Sequence, residues 1–423
     1  MIIRSLHLEH FRCFEDIDIE FDNQLTILVG ANGAGKTAVL DALSIFLKNA
    51  GNPDQRESAR YTFPSSDLAI GFKPEDFSYR LGLQTSGSKS DSAISVNFAY
   101  NQTSQSEIMI TNFDTINAIK QILDEIEPVF VAYMAGRFIS EKDTVLRNNI
   151  YTPSQNAAFI NSFNRTIDYD ATLAWFNNAD ADEARAMRDN GQKNELPELR
   201  AVRDALSKAL LGQYERPRML GNPPEMIVYK KGTDIAYKVS QLSDGYRAML
   251  ALVMDLARRM VQSRIGINKL DEILLNTPAV VLIDEVELHL HPAWQQTVLT
   301  TLMGIFPNTQ FIITTHSPQV LTSIPSKHIR ILKDGQTYTV DEQTEGAEAS
   351  RLLKHVFGVE SRPYGLDIVQ TLNSYIKMVY NEQWDTPEAD ELRKKLTEHY
   401  GNGEPALMEL ELHIENAKWE RGL

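Results

Sequence analysis

The chain has 423 residues, of which 43% are hydrophobic and 23% charged, a globular composition that excludes disorder as the dominant state. Because 57 Asp and Glu outnumber 42 Lys and Arg, the net charge of −15 excludes general nucleic-acid binding and leaves only a local basic patch. The single cysteine, Cys13, excludes an internal disulfide and a cysteine-built zinc site. With no apolar run of about 20 residues and no secretory signal, we expect a cytoplasmic protein without membrane contact.

The first part of the chain combines strands, a glycine-rich loop and a helix. Alternating apolar residues predict strands before residue 22, and the apolar run 25–29 predicts a buried strand. The loop 30–37 follows, and apolar residues at three- and four-residue intervals after it predict an amphipathic helix. The loop matches the pattern G-x-x-x-x-G-K-[ST] in the strand–loop–helix context that phosphate binding requires.

This loop predicts a nucleotide site. Glycines let backbone N–H groups converge on phosphate oxygens, and the helix N-terminus adds its positive dipole. We expect Lys36 to reach the β- and γ-phosphates of ATP and the Thr37 hydroxyl to bind Mg²⁺. The residues of the loop predicted to contact the nucleotide are Asn32, Gly33, Ala34, Gly35, Lys36 and Thr37.

A second buried strand, 279–283, ends in two carboxylates. Because ligands bind at the carboxyl ends of parallel strands, Asp284 is predicted to be the outer ligand of Mg²⁺. Glu285, one residue on, is predicted to position the attacking water or to act as its general base. A third strand, 310–313, leads into His316. Strands on either side of helical patterns indicate a parallel sheet with crossover helices.

The segment 241–247 has two compatible interpretations. Ser243 precedes a helical pattern, as a helix N-cap does. Ser243, the Gly245 backbone and the helix N-terminus are also the groups that would bind a γ-phosphate presented by another subunit. The sequence leaves both roles open.

Together these motifs resemble the ATP-binding cassette (ABC) ATPases, specifically the SMC-like heads related to RecF. The resemblance covers residues 1–45 and 225–335 and rests on four motifs: Walker A (30–37), the signature loop (242–245), Walker B (280–285) and His316. It implies an α/β P-loop ATPase head with a mixed, mainly parallel sheet. It also implies a head-to-head dimer that holds ATP and Mg²⁺ between Walker A of one subunit and the signature loop of the other.

The same resemblance implies roles for two further residues. In this family the position of His316 senses the γ-phosphate, whereas an isolated histidine there would simply end a strand. Arg12 matches a position near the nucleotide, with a surface arginine as the alternative. The expected enzyme activity is ATP hydrolysis.

Finer features look like the PtuA-type ATPase subunits of the Septu antiphage systems and their retron-associated relatives. These features are the runs 285–294, 314–318 and 385–389. This resemblance implies a homodimer or higher homo-oligomer that controls a separately encoded, PtuB-like HNH nuclease. The alternative is a RecF-like repair or recombination ATPase that clamps DNA.

Two features depart from the family pattern. His291 stands where many cassette ATPases carry an aspartate, and we interpret His289 and His291 as interface or packing residues because no third metal ligand is in view. No glutamine stands at the Q-loop position after the strand 129–133, so Tyr133 or Arg137 is predicted to take that place.

The motifs divide the chain into four parts. Residues 1–138 and 225–346 are predicted to form the ATPase head, 139–224 a mainly helical insertion, and 347–423 a helical partner-binding region. In the last part, Thr386 before a proline predicts the start of a helix.

Basic residues around the insertion are the candidates for a local nucleic-acid patch, with a solvated face as the alternative. They are Arg200, Arg203, Lys208, Arg216, Arg218, Lys230 and Lys231. Arg258 and Arg259 are predicted instead to support the signature helix. Asp180 and Asp182 lie in a helical stretch, so the chain is predicted to carry no nuclease site of its own.

Overall fold

A computed structural model describes residues 1–51, 61–73, 76–86, 91–98, 100–104, 107–110, 123, 128–135, 155–163, 167, 169–190, 195–221, 224–264, 272–401 and 403–420. The chain divides into two compact units, Met1–Leu352 and Leu353–Leu423. The four-part division remains a prediction. No helix in the described ranges is long and apolar enough to cross a bilayer.

The strands, in chain order, are β1 (Ile2–Phe11), β2 (Phe14–Glu20), β3 (Leu25–Val29), β4 (Tyr61–Pro64), β5 (Ser78–Ser86), β6 (Asp91–Phe98), β7 (Tyr100–Ser104), β8 (Glu107–Ile110), β9 (Val129–Tyr133), β10 (Arg218–Leu220), β11 (Glu225–Tyr229), β12 (Ala236–Lys238), β13 (Ala279–Ile283), β14 (Thr309–Thr314), β15 (Ile329–Lys333) and β16 (Gln336–Thr339). The helices are α1 (Lys36–Gly51), α2 (Tyr169–Asn190), α3 (Pro197–Ala209), α4 (Asp244–Ser263), α5 (Ile273–Asn276), α6 (Pro292–Gln295), α7 (Val298–Ile305), α8 (Pro318–Leu321), α9 (Ala349–His355), α10 (Asp367–Tyr380), α11 (Pro387–Tyr400) and α12 (Pro405–Glu420).

A six-stranded sheet of order β16-β15-β3-β14-β13-β9 positions the motifs. The strands from β15 to β9 run parallel, and β16 pairs antiparallel with β15. Every residue of β3, β9, β13 and β14 is buried, as expected for parallel strands that are covered on both faces of the sheet. The predicted α/β fold with a mixed, mainly parallel sheet is confirmed.

Helix α1 packs against this sheet through the apolar side chains that predicted it. These buried residues are Val39, Leu40, Leu43, Phe46 and Leu47. They fix the glycine loop between β3 and α1 at the carboxyl edge of the sheet, where β13 and β14 also end.

Three antiparallel sheets surround this centre, with orders β2-β1-β5-β6, β10-β11-β12 and β4-β8-β7. The first contains the two strands predicted at the start of the chain. In the second sheet, β11 pairs antiparallel with β12. The short β12 leads directly toward α4, the helix that begins with the signature loop.

The predicted basic patch contains residues that are already paired. Arg203 is buried and donates to Glu183 at 2.7 Å, and it also forms an ion pair with Asp180. Arg216 pairs with Glu195 and Asp204. The assignment of Arg203 to an exposed patch is therefore wrong, because its charge is used to join α2 and α3.

The second unit contains α10, α11 and α12 around an apolar core. The core residues are Leu372, Tyr375, Val379, Ala389, Leu396, Leu407 and Leu410. Helix α11 begins as predicted: Pro387 is its first residue, and the Thr386 hydroxyl accepts a hydrogen bond from Ala389 N at 3.3 Å. It ends at Gly401, whose φ of 78° lies in the left-handed region.

Candidate nucleotide-binding site

The glycine loop holds Lys36 at the first position of α1. Its ammonium donates to Gly30 O at 2.9 Å and to Ala31 O at 3.0 Å. The residue is 6% exposed, and burial lowers the pKa of Lys36 against the opposing influence of Asp284, Glu285 and Glu287. The loop therefore presents a partly desolvated cation whose donors are directed to main-chain carbonyls.

Two glycines of the loop have no room for a side chain. A Cβ on Gly30 would collide with Leu332 O, and a Cβ on Gly35 would collide with the Phe14 ring and lie 2.8 Å from Cys13 Sγ. Gly35 also has φ of 93°, in the left-handed region. Gly33 shares that conformation at φ of 81°, but a Cβ there would meet no atom within 4 Å.

This difference gives a matched prediction. Gly33→Ala is expected to lower the free energy of unfolding by about 1–2 kcal/mol, the cost of left-handed backbone. Gly35→Ala adds a collision with packed atoms and is expected to cost about 1–3 kcal/mol more. Denaturant unfolding without nucleotide measures both. Equal losses for the two variants would contradict the close packing at Gly35.

Asp284 lies at the end of β13 and is fixed from three sides. Its Oδ2 accepts from Thr37 Oγ1 at 3.1 Å, its Oδ1 accepts from Thr314 Oγ1 at 2.5 Å, and its N–H donates to Tyr133 O at 2.8 Å. Thr37 and Asp284 thus place a hydroxyl and a carboxylate oxygen side by side, and oxygen atoms are the ligands that Mg²⁺ takes in proteins. The donor set therefore fits Mg²⁺.

The segment after Asp284 has a constrained backbone. Glu285 has φ of 49°, and its N–H donates to Thr314 Oγ1 at 2.8 Å. The Glu287 carboxylate accepts from Thr315 Oγ1 at 2.7 Å and from His316 N at 2.6 Å. Thr314 and Glu287 thus orient the Walker B and His316 segments. The sequence analysis did not identify this role, because a polar residue beside a motif is too common to indicate one.

Most of the residues predicted for the nucleotide site line one cavity of about 430 Å³. Its lining residues are Asn32, Gly33, Gly35, Lys36, Thr37, Ala38, Asp284, Glu285 and His316. Ala34 belongs to the loop, where its N–H donates to Ala31 O at 3.2 Å, but it is outside this lining set. Phosphate-binding, metal-binding and water-positioning groups therefore face one space.

Arg12 lies outside that lining set. Its guanidinium donates to Asp41 on α1 at 2.6 Å and to Asp67 at 2.9 Å. Burial opposes the charge of Arg12, but the two carboxylates outweigh it and the pKa of Arg12 is raised. Arg12 therefore ties the end of β1 to α1, and its contact with the nucleotide remains a prediction.

Ser243 and Gly245 also lie outside the set of residues that line the cavity. Ser243 occupies the N-cap position of α4 with φ of −61° and ψ of 157°, yet its side chain makes no capping hydrogen bond with described residues. Its side chain is exposed. The position matches the predicted cap, but the hydroxyl does not cap the helix within the part of the chain that the structure describes.

The signature loop packs against the turn that follows Walker B. A Cβ on Gly245 would lie 3.0 Å from His289 O, and the ring of Tyr246 meets Trp294 edge-on at 4.4 Å between centroids. His291 Nδ1 accepts from Ala293 N at 3.3 Å and so caps α6. Within the described ranges no third ligand joins His289 and His291, and their role as interface or packing residues stays a prediction.

The two Q-loop candidates have different outcomes. Tyr133 is buried, and its phenol donates to Asp255 Oδ2 at 2.9 Å. Arg137 lies outside the described residues. The predicted support of the signature helix by Arg258 and Arg259 is confirmed, since both donate to the same Asp255 on α4.

The chain has relatives among known proteins. The chain is 27% identical to the "Retron Ec83 probable ATPase" of Escherichia coli, over 99% of this chain and 87% of the relative. It is 23% identical to the "Septu protein PtuA" of Bacillus mycoides, over 79% of this chain and 41% of the relative. An SMC head bound to the C-winged helix domain of ScpA aligns with 81% of this chain and 98% of its own at 17% identity and a TM-score of 0.46.

The predicted similarity to PtuA and the retron ATPases is confirmed by these relatives. One family model matches residues 25–322, which include the glycine loop, the signature loop, both carboxylates and His316. The chain therefore belongs to the ATPase family described as "AAA domain, putative AbiEii toxin, Type IV TA system".

Proposed function

We propose that this chain is the ATPase subunit of an antiphage defence complex, in which ATP at a head-to-head dimer interface controls a separately encoded HNH nuclease. One observation carries the dimer: Lys36, Asp284 and His316 line a cavity that lacks the exposed Ser243 and the partly buried Gly245 of the same protomer. A second copy would complete the site by presenting its helix N-terminus to the γ-phosphate.

Within one protomer each residue has a defined task. Loop N–H groups and Lys36 Nζ bind the phosphates, and Thr37 and Asp284 hold Mg²⁺, which when bound neutralises charge on the β- and γ-phosphates. The Glu285 carboxylate orients a water and accepts its proton, while His316 faces the γ-phosphate. Hydrolysis would then end the state in which the γ-phosphate joins the two protomers.

ATP acts as a switch because it binds the closed dimer better than the open one. A ligand shifts such an equilibrium only by the difference between its affinities for the two states. The γ-phosphate supplies that difference, since it contacts Walker A in one protomer and the signature loop in the other. Loss of the γ-phosphate then opens the dimer and changes the signal to the nuclease.

The nuclease partner is supported by the relatives and by one surface. The relatives are named as a retron ATPase and as the Septu protein PtuA, and the second unit carries an exposed apolar stripe on α12. The stripe consists of Met408, Leu412 and Trp419, which are 55%, 58% and 82% exposed. Spacings of four and seven residues place these side chains on one face of the helix.

The stripe gives a direct test of the proposed function. The full chain, co-expressed with an HNH nuclease encoded beside it, is expected to co-purify with that nuclease. The double variant Met408→Glu/Leu412→Glu is expected to lose the complex, because charge replaces apolar contact at positions that are not part of the core. The control is Lys394→Glu on α11, another exposed position.

Undiminished co-purification of the double variant would remove the stripe from the interface. The RecF-like alternative predicts instead ATP-dependent, salt-sensitive DNA binding by the chain without any nuclease. That result, together with no complex for the unaltered chain, would contradict the proposed function.

A further inference from the structure

We infer that Tyr133 is a positioning residue that couples the Walker B edge of the sheet to the signature helix α4. When ATP closes the dimer at Ser243, the positions of Asp284 and Glu285 would then change as well. The inference rests on the proposed function, because it concerns the same ATP hydrolysis. The contacts of Tyr133 that support it all lie within one protomer.

Tyr133 touches both elements at once. It is the last residue of β9, and its carbonyl accepts the Asp284 N–H at 2.8 Å. Its phenol donates to Asp255 Oδ2 at 2.9 Å, and Asp255 lies in the middle of α4. The main chain of one residue therefore fixes the metal-binding carboxylate segment, and its side chain fixes the signature helix.

The acceptor of this bond is a buried, ionised carboxylate. Arg258 Nη2 donates to Asp255 Oδ1 at 2.6 Å, and Arg259 Nε donates to Oδ2 at 2.7 Å. Burial alone would raise the pKa of Asp255, but the two guanidinium groups outweigh it and the pKa is lowered. Burial and the neighbouring Asp255 raise the pKa of Tyr133 well above its usual range, so its phenol keeps the proton that it donates.

The same cluster reaches a third segment. Arg259 Nη1 donates to Ala158 O and to Ile160 O, both at 2.8 Å, and Ala132 N donates to Ser162 O at 2.9 Å. The segment 155–163 therefore bridges β9 and α4 beside Tyr133. Buried hydrogen-bond networks of this kind resist partial rearrangement, because an unpaired buried group costs more than the bond contributes.

A displacement at the signature loop can reach the cluster through α4. Asp255 lies roughly 18 Å along the helix axis from Ser243 at 1.5 Å per residue. Because the helix is continuous from Asp244 to Ser263 and buried from Met249 onward, it moves as one body. Tyr133 then transmits its position to Asp284 across the parallel pairing of β9 with β13.

Tyr133→Phe tests the coupling by removing one oxygen atom. ATP affinity is expected to stay within about twofold of the unaltered chain, while kcat falls about tenfold, within the usual range of coupling between sites. The matched control is Thr172→Val on α2, which removes another hydrogen bond to the same carboxylate, at 3.4 Å. Its kcat is expected to change by no more than about twofold.

If Tyr133 has only a structural role, both variants will have a lower melting temperature and the same kcat as each other. That result would overturn the inference. Absence of ATP turnover by the unaltered chain would instead overturn the proposed function.

Hydrogen exchange on the unaltered chain gives a second measurement that depends on no variant. A non-hydrolysable ATP analogue is expected to slow exchange in 129–133 together with 250–260. Protection of 250–260 alone would contradict the coupling.

Discussion

Lys36→Ala is expected to lower ATP affinity about 100-fold or more, the loss that accompanies two or more charge-assisted hydrogen bonds to phosphate. Lys36 is the single lysine or arginine among the described lining residues of the cavity. Burial already lowers its pKa, so its contacts with phosphate form in a poorly hydrated site, where attraction between opposite charges is stronger than in water. Equilibrium binding of a fluorescent ATP analogue measures the effect.

The matched control is Lys48→Ala in the last turn of the same helix, where the side chain is exposed. Its ATP affinity is expected to equal that of the unaltered chain. Wild-type affinity in Lys36→Ala, with an intact fold, would show that the glycine loop does not hold the triphosphate.

Glu285→Gln is expected to lower kcat by about 10²–10⁴-fold, the usual contribution of a positioned general base. The amide keeps the size of the side chain but cannot accept the proton of the attacking water. ATP binding should persist, because the phosphate and metal ligands are Lys36, Thr37 and Asp284. Hydrolysis would then no longer open the dimer, so the ATP-bound dimer should live longer.

Single-turnover hydrolysis and sedimentation with ATP measure these two effects. Glu345→Gln is the control, since Glu345 is exposed and distant in sequence from every motif. Unchanged turnover together with unchanged dimer lifetime in Glu285→Gln would remove Glu285 from the reaction.

The parts of the site that the sequence predicted are those determined by local context. A strand, a glycine loop and a helix in succession place Lys36 and Thr37 without further information, and the end of a buried strand places Asp284. The parallel order of the sheet then brings His316 to the same edge. Each motif by itself depends on residues that are close together in the chain, whereas their meeting depends on the order of the strands.

The remaining features depend on partners far apart in the chain. Tyr133 and Asp255 are 122 residues apart, and Thr37 and Asp284 are 247 apart, so no local pattern reveals either bond. The sequence pattern places Arg203 at the surface because it does not show that α2 packs against α3. That packing brings Arg203 to Glu183 on α2. The division of the chain after Leu352 likewise depends on packing within each unit.

The central claim is that two protomers share each triphosphate. A crystal structure with Mg²⁺ and a non-hydrolysable ATP analogue tests it most directly. The account predicts that Ser243 Oγ and Gly245 N of one protomer lie about 3 Å from the γ-phosphate held by Lys36 of the other. Bound analogue on the glycine loop, with Ser243 and Gly245 remote from every γ-phosphate in all pairings of chains, would contradict it.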